Sequence, residues 1–122
     1  MSATSFLARV AAAAALATCS GAWAHPFLDH ASPRVGGAVE RSPERISLWF
    51  TEPLEPAFSW VKVLDANGRQ VDRGDKQVDG GDPTHMHVSV PPLPAGTYRV
   101  AWRAISRDTH VTEGDFNFEV KR

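Results

Sequence analysis

Residues 25–122 are punctuated in a way that leaves few folds open. Short runs of alternating apolar and polar residues are cut by Gly, Pro, Asn and Asp, and no stretch sustains the apolar repeat of an amphipathic helix. Alternation with a period of two sends successive side chains to opposite faces of a strand. Ile46, Leu48 and Phe50 alternate with Ser47, Trp49 and Thr51 until Glu52-Pro53-Leu54-Glu55-Pro56 stops the run. Phe58 to Leu64 predicts a second strand. Asn67-Gly68 then supplies a tight hairpin turn, with Arg69 to Arg73 as the return. The polar stretch Gly74 to Pro83 reads as a loop.

Met86, Val88 and Val90 are predicted inward, and His85, His87 and Ser89 outward, where the two histidines are expected to be solvated. Thr97 to Ser106 is the longest strand, with Tyr98, Val100, Trp102 and Ala104 on its inner face. Gly114 to Val120 closes the chain with Phe116, Phe118 and Val120 inward. Short strands near Phe27 to Ala31 and Gly37 to Glu40 complete the set. The expectation is an all-β domain of about seven strands, a Greek-key β-barrel or immunoglobulin-like sandwich. Trp102 belongs to its core, whereas Trp49 is out of phase with its inward neighbours.

Residues 1–24 differ in kind. One charge, Arg9, precedes an alanine-dominated apolar run ending in Ala22-Trp23-Ala24, a secretory signal peptide with a small-x-small cleavage site. The run is short of the roughly 20 apolar residues that span a membrane. The expected organisation is therefore a leader over 1–24 and one domain over 25–122, exported to the periplasm. Leu16-Ala17-Thr18-Cys19 offers a competing lipoprotein cleavage, weakened by the size of Thr18. Cleavage after Ala24 makes His25 the first residue of the mature chain and removes Cys19, the one cysteine.

Thirteen Lys and Arg against 14 Asp and Glu leave a formal charge of −1, too little basic field for nucleic-acid binding through phosphates. One cysteine excludes an internal disulfide and a thiolate zinc site, so any metal must take N and O donors. A histidine at a free N-terminus offers its α-amine and ring Nδ1 to one ion. Pro26 has no N–H, so the next peptide nitrogen cannot join them. In Asp108-Thr109-His110 the two residues flanking Thr109 project to the same side of an extended chain. An N₃O donor set of this kind suits Cu(II), with zinc as the second choice. Read alone, Asp108 and His110 fit a polar turn with a solvated ion pair to Arg107 or Arg103 better than they fit a metal site.

The sequence also resembles the periplasmic copper-resistance and copper-trafficking proteins typified by CopC. The resemblance lies in His25-Pro26, His30-Ala31-Ser32-Pro33, Leu48-Trp49-Phe50-Thr51-Glu52, Pro92 through Arg103, Ser106 through His110, and Gly114 through Phe118. It implies a Greek-key β-barrel binding Cu(II) through the amine and ring of His25, through Asp108 and through His110. Glu52 is implied to be an outer-shell or weak ligand.

Some family members carry a methionine-rich loop for Cu(I). Met86 alone remains after residue 24, and soft thioether ligands are what select Cu(I), so no Met-based copper site is expected. His85 and His87 flank Met86, and whether they form another site is open. The implied role is a copper chaperone or sequestering protein, monomeric and without catalytic turnover. Its expected partners are the copper ion and an inner-membrane copper transporter of the CopD type or another periplasmic copper protein. The alternatives are an adhesion or carbohydrate-binding module without metal and, further off, a copper monooxygenase, for which Asp108 would fill a position that oxygen chemistry needs open.

Overall fold

A computed structural model of the chain describes residues 25–122. The leader, the cleavage site and Cys19 lie outside the described residues. Eight strands follow in order: β1 (Leu28–Ser32), β2 (Ala38–Val39), β3 (Arg45–Phe50), β4 (Trp60–Leu64), β5 (Gln77–Val78), β6 (His85–Ser89), β7 (Gly96–Ile105) and β8 (Val111–Val120). They form two four-stranded sheets, β1-β3-β6-β5 and β2-β8-β7-β4, in a Greek-key β-sandwich. All pairs are antiparallel except β2 with β8.

The alternation predicts the core well. Ile46, Leu48, Met86 and Val88 from one sheet meet Val63, Val100, Ala104, Phe118 and Val120 from the other, each almost wholly excluded from solvent. Burial of that apolar surface is the main force holding the sheets together. Tyr98 joins them with its hydroxyl donating to the Pro94 carbonyl at 2.6 Å, which satisfies the one polar atom it carries inward.

The region after β4 departs from expectation. Gly68 does turn the chain, at φ 79°, and the return follows β4 only briefly: the Asp65 N–H donates to the Arg69 carbonyl at 2.9 Å and the Val71 N–H to the Val63 carbonyl at 2.8 Å, on either side of an isolated bridge between Leu64 and Gln70. The pairing ends at Asp72, whose carboxylate accepts the Val63 N–H at 2.9 Å in place of a backbone carbonyl. The polar stretch read as a loop instead contains β5, which pairs with β6 from Gln77 to His87 and from Val78 to Met86. Phe58, expected in β4, lies exposed before it.

The longest hairpin, β7–β8, runs in unbroken register from Gly96 opposite Val120 to Ile105 opposite Val111. Its stiffness depends on one small residue. A Cβ at Gly114 would lie 2.6 Å from Cζ2 of Trp102, whose rigid indole meets Phe50 edge-on with ring centroids 5.1 Å apart. Gly114→Ala is expected to cost about 1–3 kcal/mol by overpacking, read as a lower urea midpoint at unchanged slope. An unchanged midpoint would mean that the indole has room to retreat.

Candidate metal centre

The turn between β7 and β8 is organised by Ser106, which is 3% exposed. Its Oγ accepts the His110 backbone N–H at 3.1 Å and donates a hydrogen bond to Asp108 Oδ1. Ser106 N–H donates to the His110 carbonyl at 2.9 Å, and Thr109 N–H donates to the Ser106 carbonyl at 2.9 Å. Closing so tight a loop forces Thr109 into the left-handed region at φ 70°. From outside, Leu54 bridges Ser106 and the Glu55 N–H donates to the Ile105 carbonyl at 2.7 Å. Asp108 and His110 thus stand on a turn fixed by backbone bonds.

The other half comes from the start of the described chain. Pro26 is fully buried, and its carbonyl accepts the Thr112 hydroxyl at 2.6 Å. Thr51 Oγ1 accepts the Phe27 N–H at 3.0 Å and donates to the His25 carbonyl at 3.2 Å, while Thr51 N–H donates to the Phe27 carbonyl at 2.9 Å. These bonds hold the backbone of His25 and leave its side chain exposed. Its ring stacks on that of His110, centroids 4.8 Å apart and planes 25° from parallel.

Asp108 Oδ2 lies 3.4 Å from His110 Nδ1. Metal bonds of about 2.0–2.2 Å leave two donors on one ion roughly 2.9–4.2 Å apart, so this spacing suits a shared cation. The Ser106 hydroxyl holds the Asp108 carboxyl below the usual carboxylate range, helped by the nearby His110 and His25 rings. Asp108 is therefore ready as an anionic donor. Arg103 is drawn away to Glu113, at 3.6 Å, rather than to the turn.

Among the described residues, no three His, Cys, Asp or Glu side chains already converge as a metal cage. The His25 and His110 rings face one another instead of aiming nitrogens at a common point, and convergence requires the exposed His25 side chain to turn. Glu52 is half-buried and directly follows Thr51. Ser106, Thr51 and Thr112 carry no sequence signal, since hydroxyls at strand ends are common in any β protein.

The outer face of the β1-β3-β6-β5 sheet corrects another expectation. His85 is not solvated but only 6% exposed. Trp49 covers it, stacked on it at 4.4 Å and on His30 at 4.5 Å. His30 Nδ1 is hydrogen-bonded to Asp29 Oδ2 at 2.7 Å. His87 is half-buried, and partial burial together with Arg45 and His85 holds it below the usual imidazole range.

A Greek-key β-sandwich of two four-stranded sheets is the fold of the solved copper-resistance proteins that this chain resembles. The chain belongs to the CopC family, whose domain model matches residues 28–121. It is 42% identical over 108 residues to Copper resistance protein C of Escherichia coli, covering 82% of this chain and 84% of that one. Among solved structures it is similar to CopC from Methylosinus trichosporium OB3b, with a TM-score of 0.71 at 34% identity over 80% of this chain and 94% of that one. It is also similar to PcoC, a methionine-rich copper resistance protein from Escherichia coli, with a TM-score of 0.68 at 40% identity over 80% of this chain and all of that one.

Proposed function

We propose that the chain is exported, cleaved after Ala24, and binds Cu(II) in the periplasm as cargo that it sequesters or hands on. The observation that carries this reading is the stacking of His25 against His110 at 4.8 Å beside an Asp108 carboxylate 3.4 Å from the His110 ring. Cleavage would add the α-amine of His25 to that cluster. The donors would then be the amine and ring of His25, the ring of His110 and the carboxylate of Asp108, with Glu52 outside them. Three nitrogens and one oxygen are hard-to-borderline donors that favour Cu(II) over the other divalent first-row ions.

A bound carboxylate also fills a position that an oxidase would keep open, which supports carriage over turnover. A membrane copper transporter of the CopD type or another periplasmic copper protein is the proposed exchange partner, and the protein acts as a monomer. Met86 takes no part, because it is wholly buried between the sheets.

The test is electron paramagnetic resonance of protein beginning at His25 with its first equivalent of Cu(II). The expected spectrum is tetragonal with couplings to three nitrogens, and it stays unchanged in Met86→Leu, a volume-conserving core swap. A spectrum lacking nitrogen couplings, or one altered by Met86→Leu, would overturn the assignment.

A further inference from the structure

The second cluster of metal-binding side chains shares no residue with the turn. Register places His30 opposite Trp49 and Trp49 opposite His85 across three neighbouring strands. His87 follows His85 at the spacing that puts two strand side chains on one face, and their rings lie 5.1 Å apart. Asp79, just past β5, donates its N–H to the His85 carbonyl at 2.9 Å, which fixes its backbone beside that ring.

The two nitrogens of His85 differ in setting. Its Nε2 is buried, so Nδ1 is the nitrogen placed to take an ion. Its Nδ1 faces Asp79 Oδ2 at 3.7 Å, too long for a hydrogen bond. That gap lies within the roughly 2.9–4.2 Å expected of two donors on one ion with bonds of about 2.0–2.2 Å.

We propose that His85, His87 and Asp79 form a second binding site for a divalent transition-metal ion, with Cu(II) preferred over Zn(II). Two imidazoles and a carboxylate are donors that rank these ions in that order. The stack of His30, Trp49 and His85, with planes 8° and 9° from parallel, fixes the orientation of the His85 ring. Positioning of a ligand ring by its neighbours is what metal sites require. The Asp79 side chain, 46% exposed, leaves the site open to solvent. His87 must turn its ring toward His85 to complete the set, since no three donors converge as they stand.

The inference is independent of the turn site, and the experiment keeps them apart. Protein beginning at His25 and carrying Asp108→Ala and His110→Ala is titrated with Cu(II), followed by calorimetry and by tryptophan emission. One equivalent is expected to bind and to quench the emission, because Trp49 lies against the His85 ligand. Adding His87→Ala or Asp79→Asn should weaken that binding at least tenfold, with the apo-protein melting curve of each variant checked against the parent. Trp49→Phe should remove most of the quenching. Absence of the residual equivalent, or its survival in both His87→Ala and Asp79→Asn, would overturn the proposal. Retention of the tighter wild-type equivalent in the Asp108→Ala, His110→Ala protein would instead count against the turn site.

Discussion

Protein carrying a single extra residue ahead of His25 is expected to bind its first Cu(II) at least about a thousandfold more weakly than protein that begins at His25, a loss of roughly 4 kcal/mol. Acylation turns the amine into an amide, whose nitrogen lone pair is delocalised and no longer a donor. The His25 ring remains but binds through one atom, so the chelate ring is lost with the amine. Pro26 cannot compensate with a peptide nitrogen. The fold should be unaffected, because Thr51 and Thr112 grip the carbonyls of His25 and Pro26 rather than any group the extension alters. Apo-protein melting curves of the two forms should therefore coincide while their copper affinities diverge. His25→Ala should weaken binding further than His110→Ala or Asp108→Ala, since one substitution removes an imidazole and disturbs the amine beside it. Equal affinity of the extended and unextended proteins in a competitive titration would remove the amine from the ligand set.

How much of this was readable from the chain depends on where each structural signal resides. Ile46-Ser47-Leu48-Trp49-Phe50 and the two long strands of the β7–β8 hairpin announce themselves because alternate residues must enter the core. Gln77-Val78 does not, because a two-residue strand among Asp and Gly is made by backbone pairing with β6, and its side chains decide nothing. The shortness of the return after Asn67-Gly68 has the opposite cause, since a side chain, Asp72, replaces a backbone partner at its end.

Asp108, His110 and His25 could be chosen by donor chemistry, and the structure stacks His25 on His110 with Asp108 3.4 Å from the His110 ring, without closing the three into a metal cage. Ser106 could not be chosen, because its importance lies in three bonds to residues of its own turn. The burial of His85 was hidden for another reason. Its phase on β6 is correctly outward, but the Trp49 indole on the neighbouring strand β3 closes over it, and a single strand's alternation carries no record of its neighbours.

Ser106→Ala should test whether the turn itself is part of the copper site. The hydroxyl touches no proposed metal position directly; it holds Asp108 by accepting none of its charge and donating one proton to Oδ1, and it holds His110 by accepting its N–H. Without it the half-buried His110 N–H loses its acceptor, which should cost about 1 kcal/mol of stability. Outer groups that orient metal ligands are commonly worth about 10–100-fold in affinity, and a loss of that size is expected for Cu(II). The pH dependence gives the sharper readout. The Ser106 bond is the main reason that the folded Asp108 carboxyl sits below its ordinary range. A lowered folded pKa keeps the carboxylate ionised as pH falls, and its contribution is lost only on passing down through that folded value. Removing the hydroxyl raises the pKa toward its unfolded value, so copper should be released at a higher pH from Ser106→Ala than from the wild type. At saturating copper and neutral pH the spectrum should match, because the same four donors remain. A folded Ser106→Ala protein with wild-type affinity and an unmoved release curve would show that Asp108 either takes no part in binding copper or is positioned by something other than this hydroxyl.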